Sequence, residues 1–324
     1  MKMIIAKWMA GAVAAMLTLA LAGWLAFVPG AREAGYEFVA AWGEPGSAPG
    51  QFKDPTGIAV AGDEVFVADA RNGRIQVFDW SGKYLREFGQ PGDGVGELGR
   101  PMNLTIHESQ LYIPEYFNDR IQIFNLDGRL RRIVTGEGAG QFSAPGGVAV
   151  APDGTLYVAG FYHQRIQKFA ADDRFIGQLG DTDKVGIWAG QFNYPTDVAL
   201  AADGTLYVAD GYNDRVQVFD PKGNFLHKWG GPLALNIFGP FNGWFATVTS
   251  ITIGPDGNVF VADFYNHRIQ KFAPDGTFLT SFGQSGNGTG HFNYPMAVAV
   301  ADDGTVFVTD FGNNRVHKWA PIIK

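Results

Sequence analysis

The hydrophobic pattern along the chain is that of short strands. A wholly apolar stretch at 65–68 is followed by one at 74–79 in which polar and apolar positions alternate from Arg74, then by an aromatic-flanked stretch at 84–88, and each stops at Gly, Asn or Asp. Alternation with a period of two turns one face of such a stretch toward a core. One block then recurs: ADARNGRIQVF, PEYFNDRIQIF, AGFYHQRIQKF, ADGYNDRVQVF, ADFYNHRIQKF and TDFGNNRVHKW. In each copy an apolar strand runs into a turn, an Arg follows, and an alternating strand leaves it. The Arg is present every time, as Arg74, Arg120, Arg165, Arg215, Arg268 and Arg315, at spacings of 45 to 53 residues. A period of that size marks an array of structural repeats.

Each copy is preceded by its own opening. Gly50-Gln51-Phe52 with Pro55 returns around Pro101, Pro145, Pro195 and Pro295, and a degenerate fifth copy is placed at Gly239-Pro240-Phe241. Pro just ahead of a strand loses no ladder hydrogen bond. Asp-Gly pairs at 153–154, 203–204, 256–257 and 303–304 mark tight hairpins, because both residues accept positive φ. Each repeat therefore reads as four short antiparallel strands, and there are six repeats. The sixth stops after its third strand. The lone aromatic stretch YEFVAAW at 36–42 matches the fourth strands at 225–229 and 278–282. It is expected to close the last blade and so remove the open edges of the sheet array. The expected fold is all-β: a six-bladed β-propeller of four-stranded antiparallel blades over residues 36–324.

Ahead of it lies an uncharged apolar run, residues 8–28. As a helix it would be about 31 Å long, one bilayer core. Lys2 and Lys7 precede it, which places the short N-terminal tail (1–7) in the cytoplasm and the propeller outside, past a linker at 29–35. The run is long for a cleaved secretory signal, although Ala20-Leu21-Ala22 offers a cleavage-like site. The expected location is a single-pass membrane protein with its propeller on the periplasmic side. The formal charge of −7 and the scatter of Lys and Arg give no nucleic-acid footprint. The absence of Cys excludes disulfides and thiolate metal sites.

The P-x-G-h-A-V, h-Y-V-A-D and N-x-R-h-Q-h-F strings, in register across 36–320, resemble the NHL repeat family. The resemblance implies a six-bladed propeller. It also implies one of the family's roles: a protein-binding module, an extracellular sensor domain, or, in one branch, a metal-dependent lyase. That branch is peptidyl-α-hydroxyglycine α-amidating lyase. Its P-T-D-V-A and D-G-Y strings are similar to residues 195–199 and 210–212, and Tyr212 falls where that family carries its catalytic Tyr. The family's metal-binding His follows the blade-opening Pro in two repeats. Here Thr56, Met102, Gly146, Thr196 and Met296 stand in those places. A zinc site needs at least three converging ligands, so neither metal nor cofactor is expected. Six-bladed hydrolases of the gluconolactonase type hold calcium on the axis. Of the axial positions, only Asn103 and Asp197 carry oxygens able to ligate it, against the roughly 6–8 that calcium takes.

The repeated carboxylates Asp69, Glu115, Asp210, Asp263 and Asp310 stand five residues before their Arg and read as structural ion pairs. Blade three has Gly160 instead, so Arg165 is expected to borrow a neighbouring carboxylate or to face a ligand anion. The turns after the carboxylates carry Tyr116, Phe117, Phe161, Tyr162, Tyr212, Phe264, Tyr265 and Phe311, all expected on one face as an interaction surface. An uncharged insertion at 231–248, with Leu233, Phe238, Phe241 and Trp244, is long enough to be functional. A shorter insertion at 181–189 carries Ile187 and Trp188. The sequence thus favours a membrane-anchored binding or scaffolding subunit with a membrane-protein partner. The alternative is a metal-assisted lyase or hydrolase working in the axial funnel.

Overall fold

A computed structural model describes Trp8, Gly11, residues 13–16, Thr18 and residues 27–323. Most of the 8–28 segment lies outside the described residues. Among those described, no helix is long and apolar enough to cross a membrane.

Six four-stranded antiparallel sheets form the blades. Blade one comprises Pro55–Ala61, Glu64–Asp69, Arg74–Asp79 and Tyr84–Phe88. Blades two to five repeat this order in sequence. In blade six Pro295–Val300, Val306–Asp310 and Arg315–Pro321 are completed by Tyr36–Trp42. The closing strand pairs Tyr36 with Pro321 and Trp42 with Val316 across an antiparallel ladder. Phe38 and Trp42 give the seam its side-chain contacts. Phe38 meets Trp319 edge-on at 5.7 Å, and Trp42 reaches Phe307 in its own blade and Phe78 in blade one.

The core lies between blades. The Phe that opens a repeat packs on the Phe that ends its third strand. The pairs are Phe52–Phe78, Phe142–Phe169, Phe192–Phe219 and Phe245–Phe272, with ring centroids 5.1 to 6.0 Å apart. Phe245 corrects the degenerate fifth opening. Gly243-Trp244-Phe245, not Gly239-Pro240-Phe241, is the copy of Gly-Gln-Phe. Gly243 N–H donates to Gln270 Oε1 as Gly50 N–H does to Gln76 Oε1, and Phe245 is wholly buried. Trp in the Gln position, and Val248 in place of the usual Pro, hid the register.

Candidate functional site

The carboxylate–Arg pairs come first because they fix the loops that carry the site. Asp69, Glu115, Asp210, Asp263 and Asp310 are fully buried. Each accepts from the Nε of its own Arg, at 2.6 to 2.9 Å. Each also accepts a backbone N–H from the loop entering its blade, at 2.7 or 2.8 Å. The Arg Nη atoms reach that loop's carbonyls; Arg74 donates to Ala48 and Gln51. These pairs are scaffold, as the repetition implied.

Blade three departs, and neither expectation for Arg165 holds. Arg165 is buried, so it faces no open site, and no carboxylate pairs with it among the described residues. Its guanidinium donates instead to Gln178 Oε1 at 2.7 Å, Thr182 Oγ1 at 2.8 Å and Gln141 O at 3.1 Å. Thr182 comes from the insertion at 181–189, which thus supplies one neutral acceptor. Arg165 Nε and Gln167 Oε1 are left without partners. Burial lowers the Arg165 pKa, with Asp183 opposing at a distance.

A second set of contacts joins neighbouring blades, and the sequence reading missed it. The residue just before each Arg is Gly73, Asp119, Gln164, Asp214, His267 or Asn314, always with positive φ. Asp119, Gln164, Asp214, His267 and Asn314 accept the backbone N–H of Ala144, Tyr194, Thr247, Tyr294 and Asp54 in the next blade. Gly73 cannot do so: a Cβ there would come within 2.6 Å of Pro91 Cα. The signal was present as a polar residue one place before the Arg.

The strand order carries the second-to-third turns and the entering loops to the same face. There the turn aromatics converge. Tyr116, Phe117, Phe161, Tyr162, Tyr212, Phe264 and Tyr265 wall a cup of about 510 Å³. None of them is fully buried, and Phe117 and Tyr265 are 67% and 57% exposed. Phe311 is not part of the wall; it leans on Phe264 at 6.3 Å. Blade one adds no ring because its turn reads Ala70-Arg71. Two unforeseen tyrosines support the wall. Tyr194 packs on Phe161 at 4.8 Å, and Tyr294 stacks on Phe264 at 4.9 Å. Both precede a blade-opening Pro, and that Tyr-Pro pair was the available clue. Arg100, also unforeseen, is the one formal charge in the lining and lies over Tyr116 and Phe117 at 5.7 and 5.6 Å. Tyr116 and Tyr162 share a 2.6 Å hydrogen bond between blades. Burial, then that bond, raises the Tyr116 phenol well above its usual value.

Met102, Gly146, Thr196 and Met296 line the floor, so the positions after the blade-opening Pro do converge, but they bring thioethers and a hydroxyl. Asn103 lies between the cup and an axial cavity of about 330 Å³ that also contains Asp197. Both Asp197 oxygens are engaged, accepting from Val198 N–H at 2.9 Å and Ile251 N–H at 3.0 Å. Its side chain fills the place a Cβ would need at residue 147, which is Gly. Burial pushes Asp197 up to about 7, with those two backbone bonds opposing. Asn103 Nδ2 donates to Thr249 O at 3.0 Å. No three His, Asp or Glu side chains gather as metal ligands among the described residues.

The NHL repeat model matches residues 52–78, 142–169, 192–219, 245–272 and 292–319. The chain carries five NHL repeats in a six-bladed β-propeller. Blade two, with Leu98 for Phe and Pro114-Glu115 for Ala-Asp, is the unmatched repeat. No curated protein sequence matches the chain. Solved structures share the NHL propeller's shape at low identity. A protein of unknown function from Bacteroides thetaiotaomicron is 17% identical over 88% of this chain and 75% of its own, with a TM-score of 0.67. Virginiamycin B lyase from Staphylococcus aureus is 19% identical over 89% and 90%, TM-score 0.58. A streptogramin B lyase is 16% identical over 85% and 95%, TM-score 0.59. At these identities the likeness is one of fold. The NHL propeller is a typical scaffold for protein interaction.

Proposed function

We propose that the protein is a membrane-anchored, extracytoplasmic propeller whose aromatic cup binds a protein partner within a membrane-associated assembly. The cup carries this reading. A rigid scaffold presents seven aromatic rings to solvent around a single cation, Arg100. Aromatic and Arg side chains dominate the energetic centres of protein interfaces. An extended segment of a partner, with apolar side chains for the cup and a carboxylate for Arg100, fits that chemistry. The membrane side of the reading is supported by the length of the 8–28 run and the lysines before it.

The test is purification in mild detergent with mass spectrometry of companions, wild type against a Phe117→Ser, Tyr212→Ala, Tyr265→Ala variant. These rings are exposed, so the variant should keep its unfolding temperature while losing the companion. A companion retained in full by the folded variant rejects the cup as the binding site. The metal-assisted lyase or hydrolase is the weaker alternative, because the floor carries no His or carboxylate and Asp197 is already satisfied by backbone donors.

A further inference from the structure

Beside the cup, the described surface exposes a second apolar area, built from the two insertions. Leu233 and Phe238 are 69% and 70% exposed, Trp188 is 64% exposed, and Val185 and Ile237 stand beside them in the two loops. The 231–248 insertion contains no charged residue. It is nevertheless well held. Its Gly239 N–H donates to Phe245 O at 3.1 Å, and Gly239 O accepts from Asn266 Nδ2 at 2.8 Å. Phe241 and Trp244, expected as binding residues, turn onto each other at 5.0 Å and hold the loop from within. One buried cation joins the two insertions. Arg215 Nη1 donates to Ile187 O and to Ala234 O, and Nη2 donates to Trp188 O at 3.0 Å.

The neighbour of this surface is the end of the apolar N-terminal run. Trp244 Nε1–H donates to Phe27 O, and Asn242 Nδ2 donates to Pro29 O at 3.2 Å. The Pro29 ring lies against Gly243. The insertion is therefore fastened to the last residues of the run, with no free linker between them.

The geometry points to a lipid bilayer surface as the occupant of this patch. The loops around Trp188 and Phe238 enter the interface beside the N-terminal segment, as a second membrane contact that sets the tilt of the propeller. The inference rests on the anchor reading above. If residues 8–28 cross the bilayer, Phe27–Pro29 emerge at its surface, and whatever is bonded to them sits at that depth. Exposed Trp, Phe and Leu are the side chains this interface accepts; the loop carrying Leu233 and Phe238 is uncharged, and in the other insertion Asp181, Asp183 and Lys184 stand at the start, ahead of Val185, Ile187 and Trp188. A tilt toward blades four and five also turns the cup toward the membrane, where a membrane-embedded partner would present its segment.

The chain has no Cys, so single spin labels can be placed at will. Full-length Trp188→Cys and Phe238→Cys proteins, and a Val95→Cys control on the entering loop of blade two, would be labelled and reconstituted into phosphatidylcholine–phosphatidylglycerol vesicles. Val95 is 77% exposed on the same face at the opposite rim. Collisional relaxation by oxygen and by a nickel chelate then reads depth. The expected result is a several-fold higher oxygen-to-nickel ratio at 188 and 238 than at 95. Labels at 188 and 238 as aqueous as the one at 95, in protein that floats with the vesicles, overturn the inference and leave the anchor standing. Burial of these labels only when a protein companion is added assigns the patch to that companion and also overturns it. A processed chain starting near Gly23 that does not float overturns the anchor. If its loop labels stay aqueous with vesicles present, the lipid patch falls with it.

Discussion

Blades three and four are adjacent, and they build the same scaffold with different charges. In blade four Asp210 and Arg215 are both fully inaccessible and meet at 2.7 Å. Asn213, Gln217 and the Asn193 backbone complete the carboxylate's shell. In blade three the acid is Gly160, and Arg165 is held by an amide, a hydroxyl and a carbonyl. The backbone of the two blades is alike, down to Asp210 opposite Arg215 and Gly160 opposite Arg165 in register. The comparison teaches that the Arg, more than the ion pair, is what the repeat keeps. Its Nη atoms tie down the entering loop in both blades, to Trp188 and Gln191 in one and Gln141 in the other.

The largest expected effect breaks blade four. Arg215→Ala leaves Asp210 charged and buried, at a cost of about 3–5 kcal/mol, measured by urea unfolding. Arg165→Ala removes hydrogen bonds but orphans no carboxylate, so it should cost about 1–3 kcal/mol. Equal losses in the two variants would refute a distinct role for the carboxylate. Gly160→Asp converts blade three to the blade-four arrangement. A Cβ there meets Gln167 Oε1 at 3.2 Å, so the Gln167 amide must turn, as its counterparts do in the paired blades. With Arg165 Nε newly satisfied, the net gain should be about 1 kcal/mol. The same substitution in the Arg165→Ala background should destabilise, which a double-mutant cycle reads directly.

The smallest effect concerns the contacts between blades. Gln164 in blade three serves Tyr194 without titrating, whereas Asp214 in blade four serves Thr247 at 2.6 Å. Burial pushes Asp214 up to about 6 from its usual 3.8. The folded state therefore holds the proton more tightly, and this stability is present below pH 3.8 and lost as pH rises through 6. Asn at the equivalent position 314 already accepts the same kind of N–H, from Asp54 at 2.9 Å. Asp214→Asn should thus be near neutral at pH 4 and stabilise the fold at pH 7, by about 1 kcal/mol or less after solvent screening, read from the thermal midpoints at the two pH values. An equal effect at both pH values would count against the assignment.

Much of this architecture could be read in advance because each blade repeats one local solution. The Arg register, the Asp-Gly hairpins and the orphan strand 36–42 each named its place. The site was only half legible. The turn aromatics were visible as a column in the repeats, but Phe311 belongs to that column and still misses the cup. Tyr194, Tyr294 and Arg100 come from a different loop, and only the meeting of two loops at one face makes them neighbours. Phe241 and Trp244 read as binding residues by composition; their mutual packing and the bond to Phe27 make them the loop's support.

The sequence alone determined the blade count, the closure of the ring by its first and last strands, and the structural role of the carboxylate–Arg pairs. Those features follow from local chemistry: alternation selects strands, tight turns select hairpins, and a carboxylate buried opposite an Arg in register pairs with it. The tertiary structure decided where Arg165 finds acceptors, which rings wall the cup, and that both insertions meet beside Phe27. These depend on contacts between residues far apart in the chain, and a repeat pattern specifies positions within a blade but not what the irregular loops between blades will touch.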